Sequence, residues 1–429
     1  MSDLLLKNIK IIKKRWPHFN FDMKNIVDEY KLELKYGLSS TILVNGIQLS
    51  SRHDRVLEAR QQVESLPNTK IINLYGSGLG DLPRELLLRT ELLQLNVYIL
   101  NEKLFFLLLH LVDQVDWLAD SRVNLYMASD YNEIQLPFFA LPAELLLVSD
   151  ENSKIRDRLV AEIEIPFINK QFQPDNSEIQ HRLQSNVEIL QQDADVSSLF
   201  GLYPGWNAYV VATGPSLELH YETLHLIKKQ SKHSVIICVD TALRPLIQHG
   251  IIPNFVVCID KNISLKHFPK NIPSCSIELI YFPMVNNETL LSWPGVRYAA
   301  YSSSPIYKKL RSQIPKAILY SGGSVIHPAI DFAVQLGVKT ITLFGADFCF
   351  SADKTHAGWE DGALSSPVAT ATHWVLNGMG NRAKTQPNFR SYLCELERYI
   401  ARHPEIKFYN TSRIGALIDG TSFHPEFIK

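Results

Sequence analysis

Hydrophobic residues in the second half of the chain fall into short runs rich in β-branched side chains. These runs are NAYVVAT (207–213), SVIICVD (234–240), NFVVCID (254–260), IELIYFP (277–283) and TITLFGAD (340–347). Stretches with helical periodicity separate them, and two of these, TALRPLIQHG (241–250) and SVIHPAIDFAVQLG (324–337), end in glycine, a common helix stop. The alternation predicts a parallel sheet covered by helices.

The first part of the chain repeats this pattern. TKIINLYGSGLGDLPRELLLR (69–89) predicts a strand, a glycine-rich turn and a helix, and two further strands are predicted at 96–103 and 122–128. Residues 151–200 are polar and helical in pattern. We therefore expect an α/β fold: a Rossmann-like domain at 1–150, a helical connector at 151–200, and a second Rossmann-like domain at 201–429, with mostly parallel sheets.

Composition narrows the class of protein. The 43 Lys and Arg residues balance 44 Asp and Glu residues, which argues against a nucleic-acid-binding surface. The five cysteines form no CxxC pair, so neither a disulfide framework nor a zinc site is indicated. The most apolar stretch, LFFLLLHLV (104–112), is about half the length of a membrane span. We expect a cytoplasmic protein without stable membrane insertion.

A Gly-Pro-Ser turn ends the first strand of the second domain, within VVATGPSLEL (210–219). Gly214 permits close backbone approach, Pro215 presets φ for a helical turn, and Ser216 can cap a helix or bind an oxygen. Such turns often present backbone N–H groups to a phosphate, although plain strand-to-helix turns share these residues. The segment is neither a Walker loop nor a full dinucleotide fingerprint.

Two further segments carry candidate chemistry. Ser321-Gly322-Gly323-Ser324 precedes a predicted helix, so it places hydroxyl groups at a helix N-terminus. LFGADFCFSADKTHAGWEDG (343–362) joins Asp347 to a polar loop that carries His356, typical of a lid with a general base. An ordinary loop histidine is the alternative. Asp347 and His356 alone are too few to hold a metal, so we expect no metal site.

Three of the predicted strands end in an acid: Asp240, Asp260 and Asp347. Ligands of open parallel sheets bind outside the carboxyl ends of the strands, so we expect these acids to face the crevice. In the first domain, Gly76-Ser77-Gly78-Leu79-Gly80 with Glu102 further on resembles a methyltransferase or nucleotide-binding turn. A lone glycine pattern of this kind has little specificity, so it serves only as a fallback nucleotide site.

The motifs resemble those of motility-associated factor (Maf) proteins. VVATGPSLE, CVDTALRPLIQHGIIPNFVVCIDKN, SGGSVIHPAIDFAVQLGVKTITLFGADF, KTHAGWE and FYNTSRIGALIDG occur in the order seen in that family. The central domain also resembles 6-hydroxymethylpterin diphosphokinase-like proteins and bacterial sialyltransferases that use CMP-sialic acid. This resemblance implies a flagellin glycosyltransferase, with flagellin and a nucleotide sugar as partners and no cofactor besides the CMP-activated donor.

The resemblance also implies roles for individual residues. His356 and Asp347 are the expected catalytic residues, with His356 as the general base. The expected nucleotide-sugar-binding residues are Thr213, Gly214, Pro215, Ser216, Asp240, Asp260, Gly322, Gly323, Ser324, Asn410 and Ser412.

The implied reaction transfers a nonulosonic acid of pseudaminic, legionaminic or sialic type to Ser or Thr hydroxyls, with inversion and without a metal. Two alternatives remain open. The same domain would suit a Mg²⁺-dependent ATP diphosphokinase of pterin type, with Asp240, Asp260 and Asp347 as metal ligands. A non-catalytic flagellin-binding protein would also retain the fold.

Overall fold

The computed structural model describes residues 3–19, 30–272, 276–351, 354–359, 368 and 371–429. The chain forms two compact units, Met1–Val160 and Ala161–Lys429. The division falls inside a helix that spans Ser153–Asn169, within the stretch predicted to be the connector.

Unit 1 is built on a four-stranded parallel sheet. The strands of the whole unit are β1 (Leu32–Lys35), β2 (Thr41–Val44), β3 (Ile47–Gln48), β4 (Ile71–Tyr75), β5 (Gln94–Ile99), β6 (Val123–Met127) and β7 (Phe138–Ala140). Its helices are α1 (Asp3–Arg15), α2 (Arg55–Glu64), α3 (Asp81–Leu87), α4 (Glu102–Leu111), α5 (Val115–Ala119) and α6 (Pro142–Leu146), and α7 (Ser153–Asn169) follows. The parallel sheet has the order β6-β5-β4-β7, and β1, β2 and β3 form a separate antiparallel sheet.

Unit 2 is built on a nine-stranded parallel sheet. The strands of the whole unit are β8 (Ala194–Asp195), β9 (Asn207–Val211), β10 (Ser234–Val239), β11 (Phe255–Cys258), β12 (Glu278–Tyr281), β13 (Arg297–Ala299), β14 (Thr340–Phe344), β15 (His373–Leu376), β16 (Arg382–Thr385), β17 (Lys407–Asn410) and β18 (Ser422–Phe423). Its helices are α8 (Ser177–Ser185), α9 (Val187–Gln192), α10 (Tyr221–Gln230), α11 (Asp240–Gln248), α12 (Asn287–Leu291), α13 (Lys308–Gln313), α14 (Ile326–Gln335) and α15 (Pro387–Ala401).

The order of this sheet is β18-β17-β14-β9-β10-β11-β12-β13-β8, and β15 and β16 form a separate antiparallel hairpin. From β9 the chain builds outward through β10 to β13 and then returns to β14 on the other side of β9. The carboxyl ends of β9 and β14 therefore flank the point where the strand order reverses, which is where open α/β sheets bind ligands.

Burial explains why these segments form central strands. Val210 and Val211 of β9 and Ile237 of β10 are completely buried, as expected for parallel strands covered on both faces. The predicted α/β class with parallel, Rossmann-like sheets is confirmed. Among the described residues, no helix has the length and apolar character required to span a bilayer.

The glycine-rich turn of unit 1 contacts a carboxylate of the same unit. The N–H of Gly78 donates to Glu144 Oε1 at 2.5 Å, and the N–H of Ser77 also donates to this carboxylate. Gly76 has φ +89°, and a Cβ there would lie 2.6 Å from Glu144 Cδ. The glycines thus make room for an internal carboxylate. This contact is a packing reason for the glycines, and the interpretation of the turn as a nucleotide site stays a prediction.

We predict that Glu144→Ala destabilises the protein by about 1–3 kcal/mol, because it leaves two buried N–H groups without an acceptor. Glu144→Gln retains one acceptor oxygen and should cost less. Urea unfolding followed by circular dichroism measures both variants. Glu151→Ala, at an exposed position, is the control. Equal stability of Glu144→Ala and Glu151→Ala would contradict this role for the carboxylate.

Candidate functional site

A cleft of about 120 Å³ lies at the carboxyl ends of β9 and β14 in unit 2. The predicted site residues that line it are Thr213, Gly214, Ser324, Asp347 and His356. Typical ligand pockets measure about 300–1,000 Å³, so the described residues enclose only part of the space that a nucleotide sugar requires. Residues 352–353 and 360–362 of the predicted lid lie outside the described residues.

The N–H groups of the Gly-Pro-Ser turn are already bonded within the protein. Gly214 N–H donates to the carbonyl of Gly345 at 2.7 Å, and Leu217 N–H donates to the carbonyl of Gly214 at 3.0 Å. Ser216 N–H donates to Asp347 Oδ2 at 2.7 Å, and Pro215 has no N–H. The expectation that this turn presents unoccupied N–H groups to a phosphate is therefore corrected: the turn uses its donors to hold β14.

Asp347 is the buried acceptor at the centre of this arrangement. It is 2% exposed and accepts the Ser216 hydroxyl at 2.5 Å and the Ser351 hydroxyl at 3.2 Å. Burial raises the pKa of Asp347, and the donors from Ser216 and Ser351 act against that rise. Because its oxygens are engaged by serines, the geometry favours a positioning role for Asp347 within the predicted catalytic pair.

The backbone is unusually close-packed around Asp347. A Cβ on Gly214 would lie 2.7 Å from Asp347 Oδ2, and a Cβ on Gly415 would lie 2.8 Å from Oδ1. Phe348, the next residue, has φ +50°, a left-handed conformation that side chains rarely adopt. The surrounding contacts hold this strained turn, and such strain is common at functional sites.

The N-terminus of α14 also lines the cleft, and its Ser324 N–H donates to His327 Nδ1 at 3.2 Å. Ser324, Val325 and Ile326 line the cleft, and the first N–H groups of an α-helix have no acceptor within the helix. Gly322 and Gly323 allow α15 to pack closely against this loop, because a Cβ at either would come within 3.0 Å of an α15 side chain. Within this cleft, α14 is therefore the better anion site than the Gly-Pro-Ser turn.

His356 lies in a short segment that is fixed to the end of β9. Ala357 N–H donates to the carbonyl of Thr213 at 2.9 Å, and Trp359 Nε1–H donates to the carbonyl of Thr241 at 3.0 Å. His356 itself is half-buried and lines the cleft beside Thr355. This placement is suited to a general base, and that role stays a prediction.

Other predicted site residues lie beside or beneath the cleft. Pro215, Ser216 and Asp240 are buried and do not line it. Asn410 and Ser412 are buried in a turn in which Ser412 N–H donates to Asn410 Oδ1 at 3.2 Å.

Asp260 is exposed, and its carboxylate accepts the N–H of Asn262. The structure thus does not bring Asp240, Asp260 and Asp347 together at one point in the cleft. Among the described residues, no group of three or more His, Cys, Asp or Glu side chains is arranged to hold a metal ion.

Sequence reasoning missed several residues that line the cleft. The hydroxyl of Thr241, which directly follows Asp240, lies 2.5 Å from the hydroxyl of Thr213. Phe389 and Tyr392 of α15 supply an aromatic wall. The position of Thr241 after a strand-ending acid was a usable signal, whereas nothing in the sequence pattern of α15 links that helix to the cleft.

Two comparisons with known proteins gave matches. Residues 181–353 match the family model described as 6-hydroxymethylpterin diphosphokinase MptE-like. A solved structure of a Maf glycosyltransferase from Magnetospirillum magneticum AMB-1 is similar over 99% of this chain and 74% of that chain, with 16% identity and a TM-score of 0.44. No curated protein matches. The expected MptE-like domain is confirmed, and the solved structure is of a Maf protein, the family whose motifs the sequence resembles.

Burial raises the pKa of Asp240 to about 7, against the hydrogen bond from the Thr241 N–H. The pKa of this carboxyl is higher in the folded state than in the unfolded state. At pH values between these two pKa values, the folded state therefore holds a proton that the unfolded state has lost. The contribution of Asp240 to the free energy of unfolding therefore falls as pH rises from about 4 to about 7, by at most about 1.4 kcal/mol per pH unit.

We predict that Asp240→Asn removes this pH dependence and gains stability relative to the wild type between pH 5 and pH 8. Urea unfolding at both pH values measures the difference. Asp175→Asn, at an exposed position in a turn before α8, is the control and should follow the wild type. Parallel curves for Asp240→Asn and the wild type would contradict the assignment.

Proposed function

We propose that the protein is a glycosyltransferase that moves a nonulosonic acid of pseudaminic, legionaminic or sialic type from CMP to Ser or Thr hydroxyls of flagellin. The observation that carries this proposal is that the N-terminus of α14 and His356 line the same cleft. One supplies donors for a leaving phosphate and the other supplies a base, which are the two groups that this transfer needs.

The N-terminus of α14 binds the phosphate of the donor in this proposal. CMP leaves as a phosphate monoester, whose negative charge grows as the bond from the anomeric carbon to the phosphate oxygen breaks. The N–H groups of Val325 and Ile326, the Ser324 hydroxyl and the positive end of the helix dipole favour that charge. Tyr392 and Phe389 offer apolar rings on which a cytosine can stack.

The acceptor side belongs to His356. Its imidazole takes the proton of the acceptor hydroxyl while the hydroxyl oxygen bonds to the anomeric carbon and the leaving electron pair stays on the phosphate. A single displacement of this kind inverts the anomeric carbon. Asp347 keeps the ends of β9 and β14 together beneath the cleft through Ser216. The chemistry as proposed requires no metal and no cofactor besides the donor.

A Mg²⁺-dependent diphosphokinase is the second candidate, and the description of the matching family model favours it. That reaction transfers a diphosphate from ATP, and carboxylates and phosphate oxygens would hold the metal. Asp240, Asp260 and Asp347 are the acids available, but among the described residues no three such side chains are arranged to hold a metal ion. A flagellin-binding protein without activity is the third candidate.

Ligand binding separates the three candidates. We predict that CMP raises the melting temperature in the presence of EDTA, because a ligand at about 100 times its Kd adds about 2.7 kcal/mol to the folded state. Thermal-shift titrations with CMP, UDP and ATP, each with EDTA or Mg²⁺, measure this. A shift only with ATP and Mg²⁺ would favour the diphosphokinase. Binding of CMP without release of CMP from any donor would favour the binding protein.

We predict that His356→Ala lowers kcat for transfer by about 10²–10⁴-fold, because the variant lacks the general base. Release of CMP from a CMP-nonulosonate in the presence of flagellin measures the rate, under saturating donor. His225→Ala, at an exposed position on α10, is the matched control and should keep full activity. Unchanged turnover of His356→Ala would exclude this histidine as the base.

A further inference from the structure

Glu218 contacts both sides of the segment that carries His356. It lies in the 3₁₀ helix Pro215–Leu219, which begins within the Gly-Pro-Ser turn. Its Oε2 lies 3.1 Å from Lys354 Nζ, and its Oε1 accepts the N–H of Gly358 at 3.2 Å. Lys354 and Gly358 stand two residues before and two residues after His356. One carboxylate therefore bridges the segment that carries the candidate base.

The same segment has a fixed backbone path on its C-terminal side. Trp359 is buried, and the Arg244 guanidinium lies 4.7 Å from the centre of its indole ring. Gly358 has φ +70°, and a Cβ there would lie 2.8 Å from Pro245 Cβ. A small change at Gly358 would thus be transmitted to the position of His356, two residues earlier.

We propose that Glu218 is a positioning residue that fixes His356 over the cleft. This inference rests on the proposed function, because it takes His356 as the general base. A general base works only within hydrogen-bonding reach of the proton that it removes, and a misplacement of about 1 Å can cost about 10²-fold in rate. Glu218 is not among the described residues that line the cleft, so its effect on the reaction would pass through His356.

The ion pair by itself contributes little to stability. The side chains of Glu218 and Lys354 are 33% and 41% exposed, and ion pairs of this exposure are weak. The role of Glu218 is therefore geometric: it joins a backbone N–H and a side chain on opposite sides of His356. Its removal should leave the fold intact, which circular dichroism can check.

Two variants separate the ion pair with Lys354 from the hydrogen bond with the Gly358 N–H, and a third variant is the control. Glu218→Ala removes both the ion pair and the acceptor for Gly358 N–H. Glu218→Gln keeps an oxygen for Gly358 N–H and loses the charge that Lys354 meets. Glu222→Ala, at an exposed position in the first turn of α10, is the matched control.

The first measurement is amide hydrogen exchange of the full chain, read by mass spectrometry on peptides that include residues 354–359. Glu218→Ala should speed exchange in this segment, Glu218→Gln should have a smaller effect, and Glu222→Ala should match the wild type. This readout does not depend on activity. Unchanged exchange in Glu218→Ala would overturn the proposal, whatever the protein's reaction.

The second measurement is kcat and the donor KM for CMP release. Glu218→Ala should lower kcat by about 10-fold to 10²-fold with a donor KM within about twofold of the wild type, because the base moves while the phosphate site at α14 stays. Faster exchange with an unchanged kcat would overturn the proposal. Absence of turnover in the wild type with every CMP-nonulosonate would refute the proposed function instead, and hydrogen exchange would still decide whether Glu218 holds the segment.

Discussion

The contact between the Asp347 carboxylate and Ser216 is the constraint on which the rest of the site depends. Asp347 follows β14, and Ser216 lies in the turn after β9, so the contact joins the ends of two neighbouring strands at the point where the strand order reverses. Gly214 and Gly415 have no Cβ at places where one would collide with this carboxylate. The glycine of the Gly-Pro-Ser turn is thus required by packing.

This constraint decides where an anion can bind. The carboxylate and neighbouring carbonyl groups accept the N–H groups of the turn, whereas Val325 and Ile326 line the cleft at the start of α14, where a helix leaves its first N–H groups without an acceptor. Unit 1 shows the same principle, since Glu144 accepts the N–H groups of its glycine-rich turn. In both units, a turn that looks like a phosphate site in sequence is filled by a carboxylate of the protein itself.

The limits of prediction from sequence follow from the same contacts. The central strands and the helices α11 and α14 were predictable because burial on both faces and glycine stops leave a local pattern. The carboxylates that accept hydrogen bonds from the two turns were not predictable, because Asp347 lies 131 residues from Ser216 and Glu144 lies 66 residues from Gly78. Asp240 and Asp260 both follow strands, yet one is buried and the other exposed, since the backbone after each strand takes a different path.

The most direct test of this account is a crystal structure of the protein with CMP bound. We expect the phosphate to lie against Ser324, Val325 and Ile326 at the start of α14, while Ser216 keeps its hydrogen bonds to Asp347. His356 should then lie on the open side of the phosphate, where an acceptor hydroxyl can approach. A phosphate bound to the N–H groups of the Gly-Pro-Ser turn, with Asp347 displaced from Ser216, would contradict it.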